Sequence, residues 1–290
     1  MGYVIVTDSV LDIEVDFLLQ NGICTVPHSF MLEDYDTVED DFGKTIPFAE
    51  IYRQLREGKA VATIQPSVAS FTSVFEGILK SNRDVVYIGL SSGLSGCFQS
   101  AFFAREALRE KYPAHTVYCI DTLAVSGGQT LLVREAVKRK AEGYTAEQLV
   151  EWAEEFRGHI AQWCTVEDVS CLTRNGHIQK SSAMSPLRGN NLIFYIDGAG
   201  SLQQDRRVRG RRKSLELLCR QLNAHVQETE QYPVLISHAD CQEDATYLAQ
   251  YIMEHSKVKQ VEYHMLNPVI GAHAGPGAIG VFFYGDQRSS

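Results

Sequence analysis

The stretch Gly89-Leu-Ser-Ser-Gly-Leu-Ser-Gly-Cys-Phe-Gln-Ser-Ala101 constrains this chain more than any other. The residues before it, Val85-Val86-Tyr87-Ile88, are apolar and largely β-branched, which predicts a buried strand. Behind it Phe98, Ala101, Phe102, Arg105 and Leu108 recur at helical spacing, with Arg105 where the apolar face tapers. Ser95 is placed as the N-cap of that helix. A strand, a Gly/Ser turn and a helix N-terminus form an anion site, because free N–H groups and the helix dipole both favour negative charge. Ser91, Ser92 and Ser95 are the hydroxyls available to hold such an anion or to react with it.

The rest of the chain narrows the classes of protein. At 290 residues it is long for one compact domain and comfortable for two. No window approaches the ~20 apolar residues of a membrane span. The first residues show neither a basic n-region nor an apolar h-region, so no signal peptide is expected. Seven cysteines, at 24, 97, 119, 164, 171, 219 and 241, are scattered singly with no C-x-x-C. That pattern predicts reduced thiols in a cytoplasmic protein, without zinc or a disulfide framework. A net charge of −9 argues against nucleic-acid binding. One segment departs from it: Asp205 to Lys213 carries six basic residues against a single aspartate. Such a run is commonly a solvated face, and on an acidic protein it also suits a specific anionic group or partner.

Read in order, Val4–Ser9 and Ile23–Pro27 predict strands, and Asp34 to Asp41 a surface loop. Thr45 is expected to cap a helix with Pro47 in its first turn. Thr63-Ile64-Gln65-Pro66-Ser67 reads as a loop, with Ser67 capping Phe71–Leu79. Val117–Asp121 is a strand, about Val125 to Glu142 a helix, and Thr145-Ala-Glu-Gln148 a capping box for Leu149–Phe156. Alternating strands and helices predict a doubly wound parallel sheet over residues 1–160, with its binding crevice at the carboxyl ends of the strands. After Trp163 the pattern changes. A hairpin over Leu192–Ile196 and Ser201–Leu202, helices from about Ser214 and Asp244, and strands at Val234, Val258 and Val281 predict a second α/β domain with a mixed sheet over 161–290. Gly271–Ala278, holding His273, is read as a tight turn.

The chemistry has a sharp reading and a bland one. Gly89-Leu-Ser91-Ser-Gly93 matches G-x-S-x-G, the nucleophile elbow of a serine hydrolase or esterase. An elbow enters its helix at once, whereas Leu94-Ser95-Gly96 intervenes here, and neither His238 nor His273 has an evident acid partner. P-loop and dinucleotide fingerprints are absent. His273, among three glycines, has backbone close to whatever it meets. His28, His115, His159, His225, His255 and His264 are read as structural.

Together these stretches resemble the DegV family of bacterial fatty-acid-binding proteins along essentially the whole chain. The motifs are Asp8-Ser9-Val10-Leu11-Asp12, Thr63-Ile64-Gln65-Pro66-Ser67, Leu90 to Ala101, Asp121-Thr122 with Gly127-Gly128, and His273 to Ala278. The resemblance implies two α/β domains with a long-chain fatty acid in the cleft between them. It implies that Thr63, Ser95 and the Gly96 amide hold the carboxylate beside His273, with Asp8, Ser9, Ser92 and Gly275 supporting them. It implies a carrier without catalysis, metal or cofactor, which presents the acid to a separate fatty acid kinase for acyl-phosphate formation and touches membranes only transiently. Arg209 fits the arginine of that encounter. Two departures stand out. Asn175-Gly176-His177-Ile178 replaces the family's Gly-Gly-Arg-Ile, leaving Arg174 as the nearest guanidinium, and Ile64 replaces a serine.

Overall fold

The computed structural model describes residues 2–33, 35–176 and 190–288. In chain order the described strands are β1 (Tyr3–Asp8), β2 (Cys24–Val26), β3 (Ser29–Leu32), β4 (Val38–Glu39), β5 (Val61–Ile64), β6 (Asp84–Gly89), β7 (Val117–Asp121), β8 (Ile160–Val166), β9 (Asn190–Ile196), β10 (Leu202–Arg209), β11 (Val234–His238), β12 (Val261–Met265) and β13 (Ile279–Tyr284). The helices are α1 (Val15–Gln20), α2 (Phe48–Arg56), α3 (Val68–Leu79), α4 (Cys97–Arg109), α5 (Gly127–Ala141), α6 (Ala146–Phe156), α7 (Ser170–Arg174), α8 (Arg211–His225), α9 (Gln242–His255) and α10 (Pro268–Ala274).

Strands β2-β1-β6-β7 form a parallel sheet, as the sequence predicts. Its strands are apolar on both faces because helices cover both. Val4, Val6, Val85 and Tyr87 pack with Phe71 and Phe75 of α3 and Ala101 and Ala104 of α4. The alternate residues, Tyr3, Ile5, Val86 and Ile88, pack with Leu131 and Leu132 of α5 and Leu149 of α6. The second sheet, β10-β9-β8-β13-β11-β12, is antiparallel except for the β11–β12 pair. Helices α8 and α9 cover one of its faces through Leu215, Leu218, Leu222, Leu248 and Ile252. Helix α5 reaches the other, where Leu235 and Phe282 join the core of the parallel sheet. One helix thus sets the spacing of both sheets.

Local signals held where the chain satisfied itself. Ser67 N-caps α3 by accepting from the Ser70 N–H at 3.1 Å. Thr145 and Gln148 close the capping box of α6. Four expectations are corrected. Thr45 does not cap a helix: its hydroxyl donates to Asp41 at 2.6 Å, and α2 starts after Pro47. The acidic stretch is not wholly a surface loop, since Val38–Glu39 is a strand and Asp40 is buried. Thr63 and Ile64 end strand β5, which pairs with β3 in a third sheet, β4-β3-β5. His273 lies in the last turn of α10 instead of a tight turn. Asn267 followed by Pro268, an N-cap and a first-turn proline, was the available signal for that helix.

Candidate functional site: a cavity with a polar end

A cavity of about 450 Å³ runs between the carboxyl ends of the parallel strands and the mixed sheet. Leu90, Leu94 and Val125 line it from the first sheet's loops, Cys164, Val166, Ile196, Ile279 and Phe282 from the second sheet, and Ala278 from the residue just before β13. Leu266, Val269 and Ile270, around the start of α10, complete the apolar wall. The position follows from topology, since loops at the carboxyl ends of parallel strands diverge and leave a crevice. Burial pushes the Cys164 thiol up to about 12, so it contributes bulk and no nucleophile.

One end is polar. Thr63 Oγ1 lies 2.8 Å from His273 Nε2, bringing β5 and α10 together. Ser95 Oγ donates to Gln65 Oε1 at 3.3 Å and accepts the Cys97 N–H at 3.2 Å. Ser95 therefore serves the start of α4 as expected, although Gly96 is the N-cap residue itself. A Cβ at Gly96 would sit 3.1 Å from the Gln65 amide, so any side chain there would have to displace it slightly. Thr63, Ser95, Gly96 and His273 all line the cavity.

Asp8, Ser9, Ser92 and Gly275, expected to support the site, do not themselves line the cavity. Asp8 is fully buried and accepts from the Leu90 N–H at 2.8 Å, the Tyr87 hydroxyl at 2.9 Å and Gln129 Nε2 at 3.1 Å. It locks the end of β1 to the Gly/Ser turn and to α5. Ser9 Oγ accepts the His28 N–H at 3.0 Å. The Ser92 N–H donates to Asp121 Oδ1 at 3.2 Å, and its side chain is exposed. Gly275 ends α10 at φ +85°, a conformation L side chains avoid.

Ser91 is placed against hydrolase chemistry. It is fully buried, its hydroxyl donates to the Gly200 carbonyl at 2.8 Å, and it accepts the Gly93 N–H at 3.2 Å. A serine nucleophile needs its proton on a general base; here a backbone carbonyl holds it.

The cationic residues lie elsewhere. Arg209 is exposed at the end of β10. Arg174, on α7, is exposed and reaches Cys171 Sγ at 3.8 Å, while its neighbour Asn175 lines the cavity. His177 lies outside the described residues. Part of the basic run is structural: Arg211 pairs with Asp244 at 2.7 Å and donates to the Gly277 carbonyl at 2.6 Å. Sequence reasoning missed Gln65 as a site residue, and missed His28, Ser126, Gln162 and Ser237 in the wall. Burial pushes the pKa of His28 down, keeping it neutral.

The fold and this cavity define an α/β protein of two larger sheets and a small third one, enclosing an apolar chamber with a hydrogen-bonding end. The chain belongs to the DegV family: the family model described as "Uncharacterised protein, DegV family COG1307" matches residues 3–286. A DegV domain-containing protein of Clostridium perfringens is 32% identical over 99% of this chain and 98% of its own. A fatty-acid-binding DegV family protein of Thermus thermophilus superposes with a TM-score of 0.85 at 26% identity, covering 98% of this chain and 100% of that one. A DegV lipid-binding protein of Thermotoga maritima gives 0.84 at 25% identity over the whole of both chains.

Proposed function

We propose that this chain is a carrier of long-chain fatty acids, built as an N-terminal unit over 1–160 and a C-terminal unit over 161–290 that hold the ligand between them. The observation that carries the reading is the chamber itself, mostly apolar and polar at the Thr63–His273 end. Fatty-acid binding by the Thermus relative and lipid binding by the Thermotoga relative support it. A buried carboxylate is costly unless its oxygens are hydrogen-bonded. The Thr63 and Ser95 hydroxyls, N–H groups at the start of α4 and the His273 imidazole meet that need. The tail supplies most of the affinity: about a dozen methylenes at ~0.8 kcal/mol each give on the order of 10 kcal/mol gross, before ordering costs. Such a carrier needs no nucleophile, cofactor or metal.

The same reading has the bound acid presented to a separate kinase in the cytoplasm, which phosphorylates the carboxylate. His273, facing the carboxylate, then stabilises charge on the transferring phosphoryl group, and exposed Arg209 meets the partner. Native mass spectrometry of the purified protein tests the first part. Co-purified fatty acid, or a thermal shift with palmitate or oleate, is the expected result; neither appearing overturns it. The second part is tested with a fatty acid kinase: Arg209→Ala slows acyl-phosphate formation several-fold with fatty-acid affinity unchanged, and an unchanged rate rejects the assignment.

A further inference from the structure

A second polar feature lies in the cavity wall, on elements other than those that carry Thr63, Ser95 and His273. Asp12 Oδ2, Ser126 Oγ and Ser237 Oγ are all deeply enclosed, in residues 3%, 1% and 2% exposed, and none has a partner at full hydrogen-bond geometry among the described residues. Ser126 and Ser237 line the cavity. Asp12 stands behind them, its other oxygen taken by the Asn267 N–H at 2.6 Å.

The fold explains how these groups meet. Leu235 of β11 packs under α5, and Ser237, two residues on along the same face, passes the end of that helix where Ser126 is the N-cap. Gly280 is the cross-strand partner of Ser237 and lines the cavity without a side chain to cover it. Ser126 holds a positive φ of 53°, which non-glycine residues seldom adopt and which recurs at ligand sites. Both serine hydroxyls lie near enough to the Asp12 carboxyl to act on it as donors. With their protons turned toward the acid, their lone pairs are left for the cavity, which suits a donor.

Asp12 meets Asn267 at the start of α10 and His273 lies in its last turn, so the Asn267 contact and His273 are roughly 9 Å apart along the helix axis. That is the height of the middle of a long acyl chain. We propose that Ser126 and Ser237, backed by Asp12, form a subsite for a hydroxyl group on the bound acyl chain, so that the protein accepts mid-chain hydroxylated fatty acids. The inference rests on the carrier reading and extends it to a substrate class.

The test is a set of dissociation constants for stearate and for hydroxystearates with the hydroxyl at successive mid-chain carbons. One isomer should bind about tenfold more tightly than isomers displaced by a few carbons, the effect of one well-placed hydrogen bond to a buried partner. Ser237→Ala should abolish that preference, bringing the favoured isomer level with its neighbours, while Ser237→Thr, which keeps the hydroxyl, should retain it. Thermal melts establish that each variant folds. A flat ranking of isomers, or a preference that survives in Ser237→Ala, overturns the subsite. So does a crystal structure of the hydroxystearate complex in which an ordered water alone satisfies both serines. Failure of stearate itself to bind would sink the carrier reading, whereas a flat ranking beside tight stearate binding sinks only the subsite.

Discussion

Thr63 Oγ1 and His273 Nε2 lie 2.8 Å apart although 210 residues separate them in sequence. The contact joins β5, in the small third sheet, to the last turn of α10. It makes the polar end of the cavity a product of two distant segments.

Removing the threonine hydroxyl while keeping its shape tests that end. Thr63→Val should weaken fatty-acid binding about 10- to 100-fold, because a hydrogen bond to a charged group contributes about 1.5–3 kcal/mol. Titration calorimetry with palmitate reads this directly. His273→Ala should weaken binding less and acyl-phosphate formation more; equal rates in mutant and wild type, with binding unchanged, would exclude a phosphoryl role.

Ser91 is expected to be inert. A fluorophosphonate probe should not label it, because its hydroxyl is buried and donates to the Gly200 carbonyl. Ser91→Ala should leave fatty-acid affinity intact and cost about 1 kcal/mol in urea unfolding, the value of a typical lost hydrogen bond. Covalent labelling at Ser91 would instead restore the hydrolase reading.

The glycines around that contact are packing requirements. A Cβ at Gly200 would collide with Ser91 Oγ, and its φ of +76° disfavours L side chains. A Cβ at Gly93 would fall 2.7 Å from the Gly200 carbonyl oxygen. Gly200→Ala should therefore destabilise by about 2–4 kcal/mol, combining backbone strain with a clash. Gly58, with positive φ but open space around it, should tolerate alanine at a smaller cost. Urea midpoints of the two variants compare them.

Asp12 should make stability fall as pH rises. Burial raises its pKa from 3.8 to about 6, against the pull of Ser237, the Asn267 N–H, His264 and Ser126. Between those two values the folded protein holds more protons than the unfolded chain. The destabilising share of this group therefore grows from about pH 4 to about pH 6 and is complete above it, on the order of 3 kcal/mol. Asp12→Asn keeps an acceptor for the Asn267 N–H and removes the titration. The stability of this variant relative to wild type should therefore increase through that window and stay level at higher pH. Urea unfolding at about pH 4.5, 5.5 and 7 measures it, and a difference independent of pH would refute the assignment.

Much of the architecture was legible because short-range rules decide it. Val85–Ile88 and the Gly/Ser turn predicted β6 and the start of α4, and Ser67 and Thr145 marked their helices correctly. A cap is satisfied within three residues, so its signal is local. Strand β5 was not legible. Its partner β3 lies about 30 residues earlier, and pairing depends on where that strand goes. Helix α10 was hidden by its glycines, although Asn267-Pro268 announced its start.

Local spacing and residue chemistry were enough for the two α/β patterns and for the strand, Gly/Ser turn and helix around Ser95, whereas Thr63 and His273 were singled out only by the family resemblance. What surrounds those residues came from packing across the fold. Packing occupied the Ser91 hydroxyl with the Gly200 carbonyl, set Gln65 between Ser95 and Ser100, and turned Ser126 and Ser237 toward one cavity wall. Contacts between segments 30 to 109 residues apart leave no periodicity in the chain to read.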